Sequence, residues 1–124
     1  VRASHEVRIN GFGLRGSDVE VPKPPHVYRI LCLGDESILA AGWPGEDLLC
    51  EQLRSLLQNE TRLQVEVCNA GVPGACPLTA YLLLVHRLAA LQPDLVLLAV
   101  NEGDVAEDAS YRRYVRQAAD GTPI

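Results

Sequence analysis

The chain has no methionine, at position 1 or anywhere else. It opens Val1-Arg2-Ala3-Ser4, with neither a basic leader nor an apolar h-region behind it. The expectation is an N-terminus that was removed or lies outside this sequence, as a cleaved leader or membrane anchor would leave it. An extracytoplasmic location, with or without membrane attachment, is therefore favoured over a cytoplasmic one. No apolar run approaches the roughly 20 residues that a membrane span needs. Basic residues form no stripe, and with a net charge of -5 and a pI near 5.1 no nucleic-acid partner is expected. There is no Cys-x-x-Cys pair, and no histidine stands at zinc-ligand spacing from a cysteine. Repeats and low-complexity tracts are also missing.

What is there fits one domain: 124 residues, 48% of them apolar. Residues 1–26 show no sustained periodicity. Gly11, Gly13 and Gly16 interrupt the backbone, and Pro22, Pro24 and Pro25 close the segment. It reads as an extended arm with a stiff Pro-rich connector, and Val7 and Ile9 as a short edge strand. Residues 27–124 form the domain proper.

Val27–Leu33 is apolar nearly throughout and predicts a strand buried on both faces. Leu48, Leu49, Leu53, Leu56 and Leu57 recur at helical spacing and predict a helix from Glu46 to Leu57. Leu63–Cys68 alternates as a second strand, and Asn69–Gly74 reads as a loop because of its glycines and proline. Leu78–Leu91 predicts a helix stopped by Pro93. Asp94–Val100 is the third and most apolar strand, Asn101–Asp108 an acidic loop, and Ser110–Ala119 a last helix. Strands alternating with helices call for an α/β fold with a parallel sheet. Three strands leave at least one long edge open. Cys32, Cys50 and Cys68 fall in strand and helix patterns as small buried residues. Cys76 falls in a loop, where an oxidising compartment would let it pair with Cys68. The even count permits disulfides without establishing them.

Tyr28–Trp43 is the stretch that organises the chain. An apolar strand breaks at Gly34, sets Asp35, Glu36 and Ser37 together, and is followed by small residues and a helix pattern. The bland reading is a turn whose Ser or Asp caps a helix. Two further loops follow the other strands, Asn69-Ala-Gly-Val-Pro-Gly74 and Ala99-Val-Asn-Glu-Gly103. In a parallel sheet all three leave one rim, where ligands bind in open α/β sheets.

Together the three loops resemble the first three sequence blocks of the SGNH hydrolases, the GDSL lipase/esterase family, over about residues 27–108. Arg8-Ile-Asn10 and Gly13-Leu-Arg-Gly16 resemble a lead-in seen before some of these domains. The resemblance implies a three-layer, flavodoxin-like parallel sheet, here apparently incomplete. It implies Ser37 as nucleophile, with the Gly71 backbone N–H and the Asn101 side-chain amide as oxyanion donors. Ester hydrolysis builds negative charge on a carbonyl oxygen, and fixed donors aimed there carry much of the rate. The substrate class implied is an acyl ester, including O-acetyl groups on carbohydrate, with no cofactor.

The chain departs from the pattern in three places. The first block has one residue too many: counted from Gly34, Glu36 takes the serine's place, and counted back from Gly42, Ser37 does. The third block reads Ala-Val-Asn-Glu, where the family has Gly-x-Asn-Asp. Nothing matches the family's closing Asp-x-x-His block: His5 and His26 precede the first strand, and His86 lies in the second helix, on its surface. A serine without a positioned base is a poor nucleophile, so this chain alone is expected to hydrolyse esters negligibly. The alternative is a non-catalytic interaction or structural subunit of a larger complex, with or without membrane association. Either way, further polypeptide is expected over the open sheet edge, as a partner chain or as the family's C-terminal half.

The remaining features read as structural. Asp35, Glu36, Glu102, Asp104, Glu107 and Asp108 follow no EF-hand pattern, and acids favour helix N-termini, so no metal is expected. Trp43 and Pro44 are read as packing the helix start. Arg112, Arg113 and Arg116 are read as a solvated face, and Tyr111 and Tyr114 as anchors of the last helix.

Overall fold

The computed structural model describes residues 6–45 and 48–124. The element order is β1 (Val27–Gly34), α1 (Glu36–Leu39), α2 (Leu49–Gln58), β2 (Gln64–Gly71), α3 (Pro77–His86), a 3₁₀ turn (Leu88–Leu91), β3 (Leu95–Leu98) and α4 (Asp104–Arg112). The three strands form one open sheet in the order β2-β1-β3. Both pairings are parallel, with Ile30 opposite Val67 on one side and Leu95 on the other. The alternation of strands and helices thus gives the parallel α/β sheet that it predicts.

Side chains alternate across β1, and each face has its own apolar layer. Leu31 and Leu33 pack with Cys68, Ala70, Ala80, Leu88, Leu91 and Leu14. Ile30 and Cys32 pack with Ile38 and Cys50, and Leu57 joins them. Burying each of the larger aliphatics is worth about 1.5–3 kcal/mol. All four cysteines are buried and unbridged. Cys76 does not pair with Cys68. It caps α3, its N–H donating to the Thr79 hydroxyl at 2.9 Å. Burial pushes the Cys68 thiol up to about 11.

β1 is not apolar throughout. Arg29 is fully buried in it. Its Nε meets Glu66 Oε2 at 2.7 Å, Nη1 donates to the Leu91 carbonyl at 2.6 Å, and Nη2 donates to the Glu20 carbonyl at 2.9 Å. One guanidinium thereby joins β2, the 3₁₀ turn and the N-terminal segment to the central strand.

Four boundaries differ from the sequence reading. β2 runs on through Asn69-Ala-Gly71, because these residues stay in register with Cys32, Leu33 and Gly34. The glycine is tolerated there since α1 needs the room: a Cβ on Gly71 would lie 2.2 Å from the Leu39 nitrogen. The second predicted helix ends early at His86, where Arg87 leaves helical geometry and a 3₁₀ turn takes over. β3 is only four residues long. The last helix spans Asp104–Arg112 rather than Ser110–Ala119, so most of the acidic loop is helix. Asp104 and Glu107 sit in its first turn, where the helix dipole favours negative charge. The predicted start of α2 at Glu46 falls outside the described residues, which place its first turn at Leu49.

Residues 6–26 lie against the domain. Asn10 Oδ1 accepts the N–H groups of Phe12 and Leu14, closing a tight turn. Leu14 enters the core, and the Arg15 N–H donates to the Asn69 carbonyl at 3.0 Å on the outer edge of β2. The opposite edge, β3, is open among the described residues, and all four of its residues are exposed. No helix among the described residues is long and apolar enough to cross a membrane.

Candidate functional site

The loops after β1 and β3 meet at one carboxylate. Asp35 caps α1, accepting the Ser37 N–H on Oδ1 at 2.9 Å. The Ser37 hydroxyl donates to the same oxygen at 2.6 Å. Asn101 donates its side-chain amide to Oδ2 at 2.7 Å. The Ser37 hydroxyl, then the Ser37 N–H, and to a smaller extent the Asn101 amide hold the Asp35 carboxyl below the usual carboxylate range. Asn101 is itself fixed: its N–H donates to Asp104 Oδ2, and its Oδ1 accepts from the Gly103 N–H, both at 2.8 Å.

Gly71 does not join this pair. It is the buried last residue of β2, its N–H donates to Asn69 Oδ1 at 3.1 Å, and its Cα side is pressed against the Ile38–Leu39 backbone. The glycine amide that faces the serine's turn belongs to Gly74, three residues on. That N–H donates to Glu36 Oε2 at 2.9 Å, and Gly74 has φ +69°, a conformation that favours glycine.

Two further residues build the site. Asn69, nearly fully buried, donates its side-chain amide to the Ile38 carbonyl at 2.6 Å and so holds the end of α1 against β2. Arg15, from the N-terminal segment, donates to the carbonyls of Leu39 at 2.7 Å and Trp43 at 2.8 Å, and also to that of Ala40. The lead-in Gly13-Leu-Arg-Gly16 is the sequence signal that points to Arg15. Trp43 does not pack the helix start; its side chain is exposed, and its carbonyl is what Arg15 holds.

The chemistry available is limited by proton transfer. At neutral pH Asp35 is ionised and a weak base, so it orients the Ser37 hydroxyl without taking its proton. Of the described histidines, His26 precedes β1 and is separated from Ser37 by that strand's length, about 26 Å at ~3.3 Å per residue. His86 ends α3, about 14 Å along the helix from Pro77 at ~1.5 Å per residue. Among the described residues no group of three or more His, Cys, Asp or Glu side chains is placed to hold a metal ion. No protein-family model matches the chain, and no curated protein matches it.

Proposed function

We propose that this chain is an ester-hydrolase-like domain of the SGNH type, with a flavodoxin-like three-layer arrangement, and that it is catalytically silent alone. The observation that carries the reading is the convergence of Ser37 and Asn101 on Asp35 from two different strand ends. A hydroxyl and a carboxamide sharing one carboxylate at the C-terminal rim suit an acyl ester, whose carbonyl oxygen needs fixed donors. In this reading the second donor is the Gly74 N–H rather than that of Gly71, and Glu36 must release it before a substrate oxygen can bind. What is missing is a base for Ser37.

The test is release of p-nitrophenol from a short-chain ester, with and without added imidazole. Without it, wild type and Ser37→Ala are expected to match the buffer rate. With it, wild type is expected to exceed Ser37→Ala and Asn101→Ala, because the free base substitutes for the missing one. Identical rates in all three proteins would remove the catalytic reading. Turnover without imidazole that Ser37→Ala abolishes would show that the chain needs no further base.

One observation favours the second reading, a non-catalytic subunit. Among the described residues no strand pairs with the outer edge of β3, and Leu95, Val96, Leu97 and Leu98 are each 36–44% exposed. Further polypeptide over this edge, as a partner chain or as more of the same one, would bury them.

A further inference from the structure

A cleft of about 840 Å³, lined by neither Asp35 nor Ser37, opens between α3, α4 and the C-terminal turn. Its walls are largely apolar, with Tyr81, Val100, Val105, Ala109 and Pro123 among them. Its charged groups are three carboxylates and one guanidinium, and most are already engaged. Asp108 accepts the Leu78 N–H on one oxygen and Arg112 on the other. Asp120 is exposed and accepts from both the N–H and the side chain of Thr122.

Asp104 is different. It lines the same cleft, it is only 3% exposed, and its Oδ1 is buried with no hydrogen-bond partner. Its other oxygen is committed to the Asn101 N–H. A buried carboxylate oxygen without a donor is costly, and a charged donor relieves that cost best. Arg112, the cation of the cleft, is tied to Asp108. A hard metal ion requires several oxygens converging on one point, and no such group is found among the described residues.

We propose that this cleft binds an organic ammonium ion: an alkyl or arylalkyl amine whose charged head draws the buried Asp104 Oδ1 outward and donates to it, and whose apolar body lies along Tyr81, Val105 and Ala109. The size is that of a small-molecule site, mostly apolar, with one carboxylate oxygen left unengaged. The chain's net charge of -5 favours a cationic ligand over an anionic one. The Tyr81 ring adds an aromatic wall of the kind that attracts ammonium groups. This inference uses neither Ser37 nor Asp35, and it meets the esterase reading only at Asp104, whose Oδ2 accepts the Asn101 N–H.

The experiment is an NMR titration of the full chain with n-hexylammonium, and in parallel with n-hexanol and hexanoate. The expected result is saturable shifts at Tyr81 and Ala109 with the amine, and affinity at least tenfold weaker for the alcohol and the acid. Asp104→Asn keeps an acceptor for the Asn101 N–H but removes the charge, and is expected to erase the preference for amine over alcohol. Ala109→Phe fills the cleft without touching the carboxylate and is expected to abolish binding of all three; it decides the matter if Asp104→Asn does not fold. Equal binding of amine and alcohol to wild type, an undiminished amine preference in Asp104→Asn, or unchanged binding in Ala109→Phe would overturn the proposal.

Discussion

Asn101 donates its side-chain amide to Asp35, 66 residues earlier, across 2.7 Å. This bond ties the loop after β3 to the turn after β1, and it is stronger to an ionised acceptor than to a neutral one. The Asp35 carboxyl is held low chiefly by Ser37, and that of Asp94 chiefly by Lys23 and then by the Arg29 N–H. Both groups therefore stabilise the fold above the unfolded carboxylate value of about 3.9, and both lose that contribution as pH falls through their lowered folded values. Urea unfolding between pH 7 and pH 2.5 is expected to show stability declining below about pH 4. The double variant Asp35→Asn/Asp94→Asn should give a flatter profile. A variant whose acid sensitivity equals that of wild type would exclude these two carboxylates as its source.

The two glycines of the second loop are expected to fail differently. Gly71→Ala drives a methyl into the Leu39 backbone, an overpacking cost of about 3 kcal/mol. Gly74→Ala meets open space but strains a positive φ, costing about 1 kcal/mol. Chemical denaturation ranks them directly, and the reverse order would mean that α1 does not sit against the end of β2.

Arg15 is expected to govern the order of the turn that follows α1. Arg15→Ala leaves the carbonyls of Leu39, Ala40 and Trp43 without their charged donor, a loss of about 3 kcal/mol. Lysine, with a single ammonium, recovers only a minor part. Trp43 is the chain's single tryptophan, so its fluorescence anisotropy reports the turn without added label. Anisotropy unchanged in Arg15→Ala would show that other contacts suffice.

The most damaging single polar change is expected at Glu66. Glu66→Gln leaves the buried Arg29 guanidinium without its carboxylate, and breaking such a pair costs about 3–5 kcal/mol. Replacing both partners, as Arg29→Met/Glu66→Leu, is expected to cost less than Glu66→Gln alone, because no charge is then stranded. Additive losses in that cycle would contradict the buried pairing.

The sheet was legible because three apolar runs separated by two helical patterns admit few topologies. β1 and its parallel partners follow from that alone. The last helix was not. Its acids resemble a solvated loop, and only their place in a first turn, with Asn101 and Asp104 exchanging hydrogen bonds, marks a start signal. Arg29 stands in a run that is otherwise nearly all apolar, and a one-dimensional pattern carries no information about Glu66, 37 residues away. Of the three candidate residues, Ser37 and Asn101 come together. Gly71 stands apart, because its neighbour Asn69 is in strand register and claims its amide. The gathering role of Asp35 lay in view beside Ser37, but its bond to Asn101 depends on strand order, which pattern alone does not supply.

The unguarded strand at Leu95–Leu98 has a consequence for handling the protein. Natural sheets blunt such borders with lysine, proline or a bulge, and this tetrapeptide has none of them. At high concentration, strands of neighbouring molecules would add to it in succession, and the product would be a cross-β fibril rather than a defined oligomer. Thioflavin T fluorescence of concentrated samples, with Leu97→Lys as the soluble control, reads that outcome.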